Sequence, residues 1–230
     1  MDAIILAGGR AERLGPVAGG RPKALVHVAG RPLAAYQLAL LRRSGIERAI
    51  VSCAAGQGEL FADELDGGGI EVVPIEEPEP LGRGGGIRHA AAARSASGDV
   101  LALNGDELLD VDLPALLERH RASGAAATIT VTRPFSPFGV VELGESDLVT
   151  GFEEGARVPY WVSCGVYVLG EEALARFPER GDHETSTFPE LAAEGRLAAF
   201  RHDGLWLTVN TPKDLLKAEK HLAAHPEWLR

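Results

Sequence analysis

Cysteine is nearly absent from this chain. Its 230 residues include only Cys53 and Cys164, far apart and each inside a strand-like segment. That scarcity excludes a disulfide framework and gives no ligand spacing for a structural zinc site, so both read as buried thiols that act as small hydrophobes. Long apolar runs are missing too: Ile, Val and Leu come in short stretches broken by Gly, Pro and charge, and none nears the ~20 apolar residues that cross a bilayer. No basic segment, apolar stretch and small-residue cleavage site stand at the start, where Met1 and Asp2 lead directly into a strand; a soluble, cytoplasmic protein is expected. Positive charge is in deficit, with 23 Lys and Arg against 33 Asp and Glu and a net charge of -10. This argues against an extended nucleic-acid surface and requires any phosphate to be bound locally. The seven histidines offer no catalytic pairing. "HETST" (183–187) lacks the second His of a zinc protease, and no Ser sits in a G-x-S-x-G elbow, so hydrolytic triads have no support.

What is present is enough for a sizeable core: 45% of the residues are hydrophobic and 24% charged, without linker composition or an internal repeat. One domain over residues 1–230 is expected. "AIILA" (3–7), "AIVSC" (49–53), "IEVVPI" (70–75) and "DVLALN" (99–104) read as strands. Between them lie helical patterns such as "PLAAYQLALLRRSG" (32–45), with Leu33, Tyr36, Leu40 and Leu41 on one face. That alternation predicts an α/β fold, a doubly wound, Rossmann-like parallel sheet with right-handed crossovers. In the second half, "AATITVT" (126–132), "GVVEL" (139–143), "LVTGF" (148–152) and "CGVYVL" (164–169) have short connections. These predict antiparallel strands added at the sheet edge, making the sheet mixed but mostly parallel. A final helix over 211–224 has Thr211 as N-cap, Pro212 at its first position and Asp214 in its first turn.

The loop after the first strand lies at the carboxyl edge, where open α/β sheets bind ligands. Gly8 and Gly9 permit close backbone approach, and Arg10, Arg13, Arg21 and Lys23 oppose only Glu12, a composition suited to a polyphosphate. A solvated basic loop is the plainer alternative. Two familiar phosphate loops are excluded by spacing. Gly15 and Gly20 stand at the P-loop interval but are followed by Arg21-Pro22. In "PLGRGGGIRHA" (80–90), Gly82 and Gly84 are followed by Ile87 where a dinucleotide fingerprint needs its third glycine. Asn104, Gly105 and Asp106 come just past a buried strand, facing the same edge. Asp106 suits Mg2+, usually held by one or two carboxylates plus substrate phosphates. Asp110 or Asp112 reads as the cap of the next helix.

These motifs carry a resemblance. "LAGGRAERLGP", "RPKAL", "LNGDELLDVDL", "FGVVEL", "GFEEG", "CGVYVL" and "WLTVNTPKDLLKAE" occur in the order found in sugar-phosphate nucleotidyltransferases, over residues 4 to about 222. Among these, the chain most resembles guanylyltransferases acting on mannose or heptose 1-phosphate. The resemblance implies the GT-A-like nucleotide-diphospho-sugar transferase architecture, without the C-terminal left-handed helix domain of some relatives. It implies transfer of a nucleotidyl group from a nucleoside triphosphate, with a lean to GTP, to a sugar 1-phosphate, releasing pyrophosphate. The attacking phosphate is already ionised, so alignment and charge neutralisation suffice.

By that pattern Arg13 and Lys23 hold the triphosphate and stabilise the leaving pyrophosphate, and Asp106 holds Mg2+. Leu6, Ala7, Gly8, Gly9, Arg10, Asn104 and Gly105 line the nucleotide, with the base near a Gly82 to Gly86 loop that includes Gly84 and Gly85. Gly139, Glu154, Arg157, Ser163 and Gly165 face the acceptor. A homodimer follows only by family analogy. Three departures stand out. The family's W-x-D-x-G-T-P becomes Trp206-Leu207-Thr208-Val209-Asn210-Thr211-Pro212, leaving Asn210 rather than Thr208 as the second metal ligand. Gly155 replaces the acceptor-phosphate lysine, a role left to Arg157 or to a group elsewhere. Ser163 stands where an Asn is common. Transfer to another phosphorylated alcohol or cyclitol, or a non-catalytic regulatory relative that binds the same ligands, are the alternatives.

Overall fold

The computed structural model describes residues 1–225 and Trp228. In chain order its elements are β1 (Ala3–Leu6), β2 (His27–Val28), β3 (Arg31–Pro32), α1 (Leu33–Arg43), β4 (Arg48–Ala54), α2 (Gly58–Leu65), β5 (Glu71–Glu77), α3 (Gly82–Ala91), β6 (Val100–Asn104), β7 (Glu107–Leu109), α4 (Leu113–Ser123), β8 (Ala127–Thr132), β9 (Val140–Leu143), β10 (Val149–Glu153), β11 (Val162–Leu169), α5 (Glu171–Arg176), α6 (Thr187–Ala193), β12 (Leu197–Arg201), β13 (Trp206–Thr208) and α7 (Pro212–Ala224). Among the described residues no helix is long and apolar enough to cross a membrane.

Seven strands form the main sheet in the order β12-β8-β11-β6-β1-β4-β5. β1 is parallel to β4 and β6, β4 to β5, and β12 to β8, whereas β11 is antiparallel to both β6 and β8. The carboxyl ends of six strands and the amino end of β11 therefore share one edge. The central strands are covered on both faces, which is why they read as continuous apolar runs rather than as alternation. Ile5, Val51, Leu101 and Leu103 pack with Leu38 and Leu41 of α1, Phe61 of α2 and Leu116 of α4. Their neighbours Ile4, Ile50, Val100 and Ala102 point the other way, to Ile87 of α3, Leu174 of α5 and Leu191 of α6. A third cluster lies outside the sheet, where Leu14 and Val26 of the opening segment meet Leu108, Val209, Leu215 and Leu222. The four helix-face residues expected in α1 are all buried.

Two expectations are corrected. β9 and β10 do not join the sheet edge; they pair only with each other, as a separate hairpin. Pro134 and Pro137 follow β8 closely, and their missing N–H groups interrupt a ladder there. The outer strand is instead β12. Secondly, residues 82–86 are not a loop but the opening of α3. A Cβ on Gly84 would lie 2.8 Å from the His183 nitrogen, and one on Gly85 2.5 Å from the Glu179 carbonyl oxygen. Glycine is present there so that another backbone can lie against the helix, and that packing offsets a helix-propensity cost of about 1 kcal/mol per Gly.

Candidate active site

The opening segment leaves β1 at the carboxyl edge and returns to the core through Leu14 and Ala18, both buried on a 3-10 stretch, Glu12–Ala18. Arg10 and Pro22 pair across its base, and the Lys23 N–H donates to the Gly9 carbonyl at 3.2 Å. A second 3-10 turn, Lys23–Leu25, then turns the Lys23 side chain inward, where it is only 12% exposed. From the neighbouring strand, the Gly105 N–H donates to the Leu6 carbonyl at 2.9 Å, an approach too close for any Cβ at 105. The Gln37 amide donates to the carbonyls of Asn104 (2.6 Å) and Glu107 (3.0 Å), fixing the turn that presents Asp106.

The far end of the chain supplies the remaining wall. β13 pairs antiparallel with β7, and the Val209 N–H donates to the Asp106 carbonyl at 3.0 Å. Thr211 caps α7 as expected, Asp214 answers it by accepting from the Thr211 N–H, and the Asn210 N–H donates to the same Asp214 carboxylate at 3.2 Å. Asp112, one of the two expected caps, accepts from the Ala115 N–H at the start of α4.

Four of the predicted residues thereby meet. Lys23 Nζ donates to Asp106 Oδ2 and to Asn210 Oδ1, each at 2.5 Å, and Arg13 Nη2 donates to the same Asn210 oxygen at 2.7 Å. Two hard oxygens thus converge on one cationic point, a donor set that fits Mg2+ with substrate phosphates completing its shell. Among the described residues no group of three or more His, Cys, Asp or Glu could hold a metal alone.

Around this centre, Gly8 and Gly9 are exposed at the end of β1, beside half-buried Leu6 and buried Ala7. Glu77 lies below Gly8, accepting from Ser52 Oγ (2.8 Å) and the Leu81 N–H (3.0 Å). Gly82 is exposed at the start of α3, whereas Gly84 and Gly85 are buried beneath the 179–183 segment and touch protein. Arg83 pairs with Asp182 and with Glu184, the latter at 2.8 Å. Arg10 projects into solvent, and Arg21 turns away to Glu64 at 2.5 Å.

On the acceptor side, Ser163 opposes Val131, and Gly165 lies at a register shift in β11 with its α-carbon against the Asn104 and Glu107 side chains. Gly139 is covered by the Phe152 ring. Glu154 is exposed beyond β10, and Arg157 stacks over Phe135 at 4.9 Å while pairing with Asp203 at 3.5 Å. Gly165 therefore sits beside the Asp106 turn, with Ser163 two residues before it on β11, while Gly139, Glu154 and Arg157 belong to the hairpin and its return. Sequence reasoning passed over Glu107, which is buried directly behind the centre. Burial first, then the Asp106 charge, pushes its carboxyl well above the usual range. An acid inside the apolar run "ELL" was the available sign.

A sequence model of the nucleotidyl transferase family matches residues 2–225. The mannose-1-phosphate guanylyltransferase of Mycobacterium tuberculosis is 30% identical over 232 residues, covering 96% of this chain and 64% of that protein. The mannose-1-phosphate guanylyltransferase catalytic subunit beta of Drosophila pseudoobscura is 33% identical over 226 residues, covering 93% and 60%. The chain spans less than two thirds of the length of these two relatives. Among solved structures, HddC from Yersinia pseudotuberculosis complexed with GMP-PN superposes with a TM-score of 0.72 at 25% identity, over 96% of this chain and 99% of that one. A putative glucose-1-phosphate thymidylyltransferase from Bacillus anthracis, in complex with a sucrose, shares the fold at 17% identity with a TM-score of 0.76, over 96% and 95%.

Proposed function

Because the chain belongs to the nucleotidyl transferase family, we propose that it joins a nucleoside triphosphate to a sugar 1-phosphate, giving an NDP-sugar and pyrophosphate. The observation that carries this reading is the meeting of Arg13, Lys23, Asp106 and Asn210 at one point of the carboxyl edge. An ionised acceptor phosphate needs no general base, because its second pKa is about 6. What it needs is in-line alignment with the α-phosphorus and compensation of repelling charge.

Exposed Gly8 and Gly9, with Leu6, Ala7, Asn104 and Gly105 beneath them, admit the nucleotide, and Gly82 borders its base. Arg13 and Lys23 turn from Asn210 and Asp106 to the triphosphate and hold the charge of the departing pyrophosphate. Asp106 and Asn210 would hold Mg2+, which when bound neutralises the α-phosphate. Ser163, Gly165, Gly139, Glu154 and Arg157 border the acceptor. GTP and a mannose-type acceptor are the favoured pair, supported by the guanylyltransferase names of both relatives and by the GMP-PN complex of the HddC structure.

Pyrophosphate release, measured with Mg2+ and each common nucleoside triphosphate against a panel of sugar 1-phosphates, tests this. GTP should be the best donor and mannose-configured 1-phosphates the best class of acceptor, and Asp106→Asn should lower kcat by about 10²-fold or more. Triphosphate binding without turnover on any acceptor would leave a ligand-binding relative instead, and an active Asp106→Asn enzyme would remove this residue from the chemistry.

A further inference from the structure

The edge that carries Asp106 continues across β11 to β8 and β12, and it is cationic there. Trp161 immediately precedes β11, Arg133 immediately follows β8, and Arg201 ends β12. The pairings Val162 to Thr132 and Arg201 to Val131 bring these three residues to the same height. The guanidinium carbons of Arg133 and Arg201 stand 5.2 and 5.1 Å from the centroid of the Trp161 ring. Arg157, stacked on Phe135, is the third cation of this region. Arg157 has Asp203 as a partner, whereas among the described residues neither Arg133 nor Arg201 has an ion pair. Both guanidinium groups on this ring therefore lack a carboxylate partner among those residues, in a protein that has ten more acidic than basic side chains. Each ring contact at an exposed site supplies only about 0.5 to 1 kcal/mol, and among the described residues neither guanidinium fork has a protein carboxylate to pair with, so both can receive an oxyanion.

The position of the cluster restricts that anion. Neighbouring strands are about 4.8 Å apart, so β8 and β12 lie roughly 10 to 14 Å along the edge from β6, where Asp106 emerges. An acceptor phosphate attacking an α-phosphorus held near Asp106 cannot also lie there. The opposite end of the same acceptor can. We infer that Arg133 and Arg201, spread on Trp161, form a second anion site, and that the acceptor carries a carboxylate or phosphate at the end remote from its anomeric phosphate. This rests on the transfer reading above and adds the charge class of the acceptor. Planar guanidinium forks suit either oxyanion, so the test must tell the two apart.

Three acceptors of the same sugar configuration serve as probes: mannose 1-phosphate, mannose 1,6-bisphosphate and mannuronic acid 1-phosphate. At least one doubly anionic probe should exceed mannose 1-phosphate in kcat/KM by roughly tenfold or more, and the better of the two identifies the anion. The double variant Arg133→Gln/Arg201→Gln should reduce that preference about tenfold, through KM rather than kcat. Arg133→Lys/Arg201→Lys should keep part of it, since charge survives without the fork; equal loss in both variants would support a site that needs the planar fork rather than charge alone. A wild-type protein indifferent to the second charge, or a preference untouched by the Gln variant, overturns the inference. Calorimetric titration of the bisphosphate and of mannose 1-phosphate, with the wild type and the Gln variant, reads the same ratio without nucleotide. If no pair turns over, transfer fails as a reading and the anion site stands or falls on that titration.

Discussion

His183 shows what burial does to one ring. It is fully buried, with ring centroids of Tyr167, Phe177 and Phe188 at 5.3, 5.0 and 4.7 Å, and neither nitrogen is hydrogen-bonded. Asp182 Oδ1 stands 3.9 Å away, too far to compensate. Burial lowers the imidazole pKa to about 4, against a small opposing effect of Asp182. The folded protein therefore refuses a proton that the unfolded chain accepts below pH ~6.5. The resulting stability is complete above that pH and is lost as pH falls towards 4, by up to about 3 kcal/mol. His120 is also lowered by burial, with Asp99 opposing, and adds in the same direction. For His202, burial lowers the pKa but hydrogen bonds to Asp110 and Leu205 raise it further, so its stability is present at low pH and is lost as pH rises. Urea midpoints at pH 7.5 and pH 5 should show a smaller acid loss for His183→Leu than for the wild type. Parallel losses would mean that this imidazole does not carry the effect.

At the scale of elements, α3 owes its place to the residues it lacks. A methyl group at Gly85 would lie 2.5 Å from the Glu179 carbonyl and 2.9 Å from Leu81 Cβ, both poorly yielding neighbours. Gly85→Ala should therefore destabilise the fold by about 1 to 3 kcal/mol, although alanine is the better helix former. For a chain of this size each kcal/mol lowers Tm by roughly 2 to 4 °C, which a thermal melt detects; an unchanged or raised Tm would show that the 179–183 segment yields freely. The same helix marks the limit of what could be read beforehand. Strands buried on both faces announce themselves as apolar runs, and α1 and α7 by their spacing and capping residues. A glycine run that packs against distant backbone has the composition of a loop, and only the tertiary contact distinguishes them. β12, "LAAFR", is half-buried and too short to show a period. In the candidate site, Asp106 and the opening cations were legible because chemistry of that kind crowds one short stretch. Gln37 and the Arg133–Trp161–Arg201 group were not, since each matters through partners brought close by the sheet.

At the scale of the molecule, the candidate site is closed by the two ends of the chain. Arg13 and Asn210 are separated by 197 positions, and Lys23 and Asn210 by 187. What holds them together is the third apolar cluster, which joins Leu14 and Ala18 of the opening segment to Val209, Leu215, Ala218 and Leu222. Leu222 is completely buried, far along α7 from Asn210. Leu222→Ala should cost about 2 to 5 kcal/mol through lost transfer energy and the cavity left behind. Leu116, on α4, is equally buried but belongs to the cluster beneath the sheet, so Leu116→Ala matches the chemistry of the change without touching the α7 seat. If the cluster positions the site, the two variants should differ in function at similar stability. Leu222→Ala should raise the Mg2+ concentration for half-maximal pyrophosphate release and the KM for triphosphate by several-fold, while Leu116→Ala, assayed well below its Tm, should keep both near wild type. Equal shifts in both variants would show general loosening instead. A selective shift would locate the coupling in the packing of α7 on the opening segment, since no other change separates the pair.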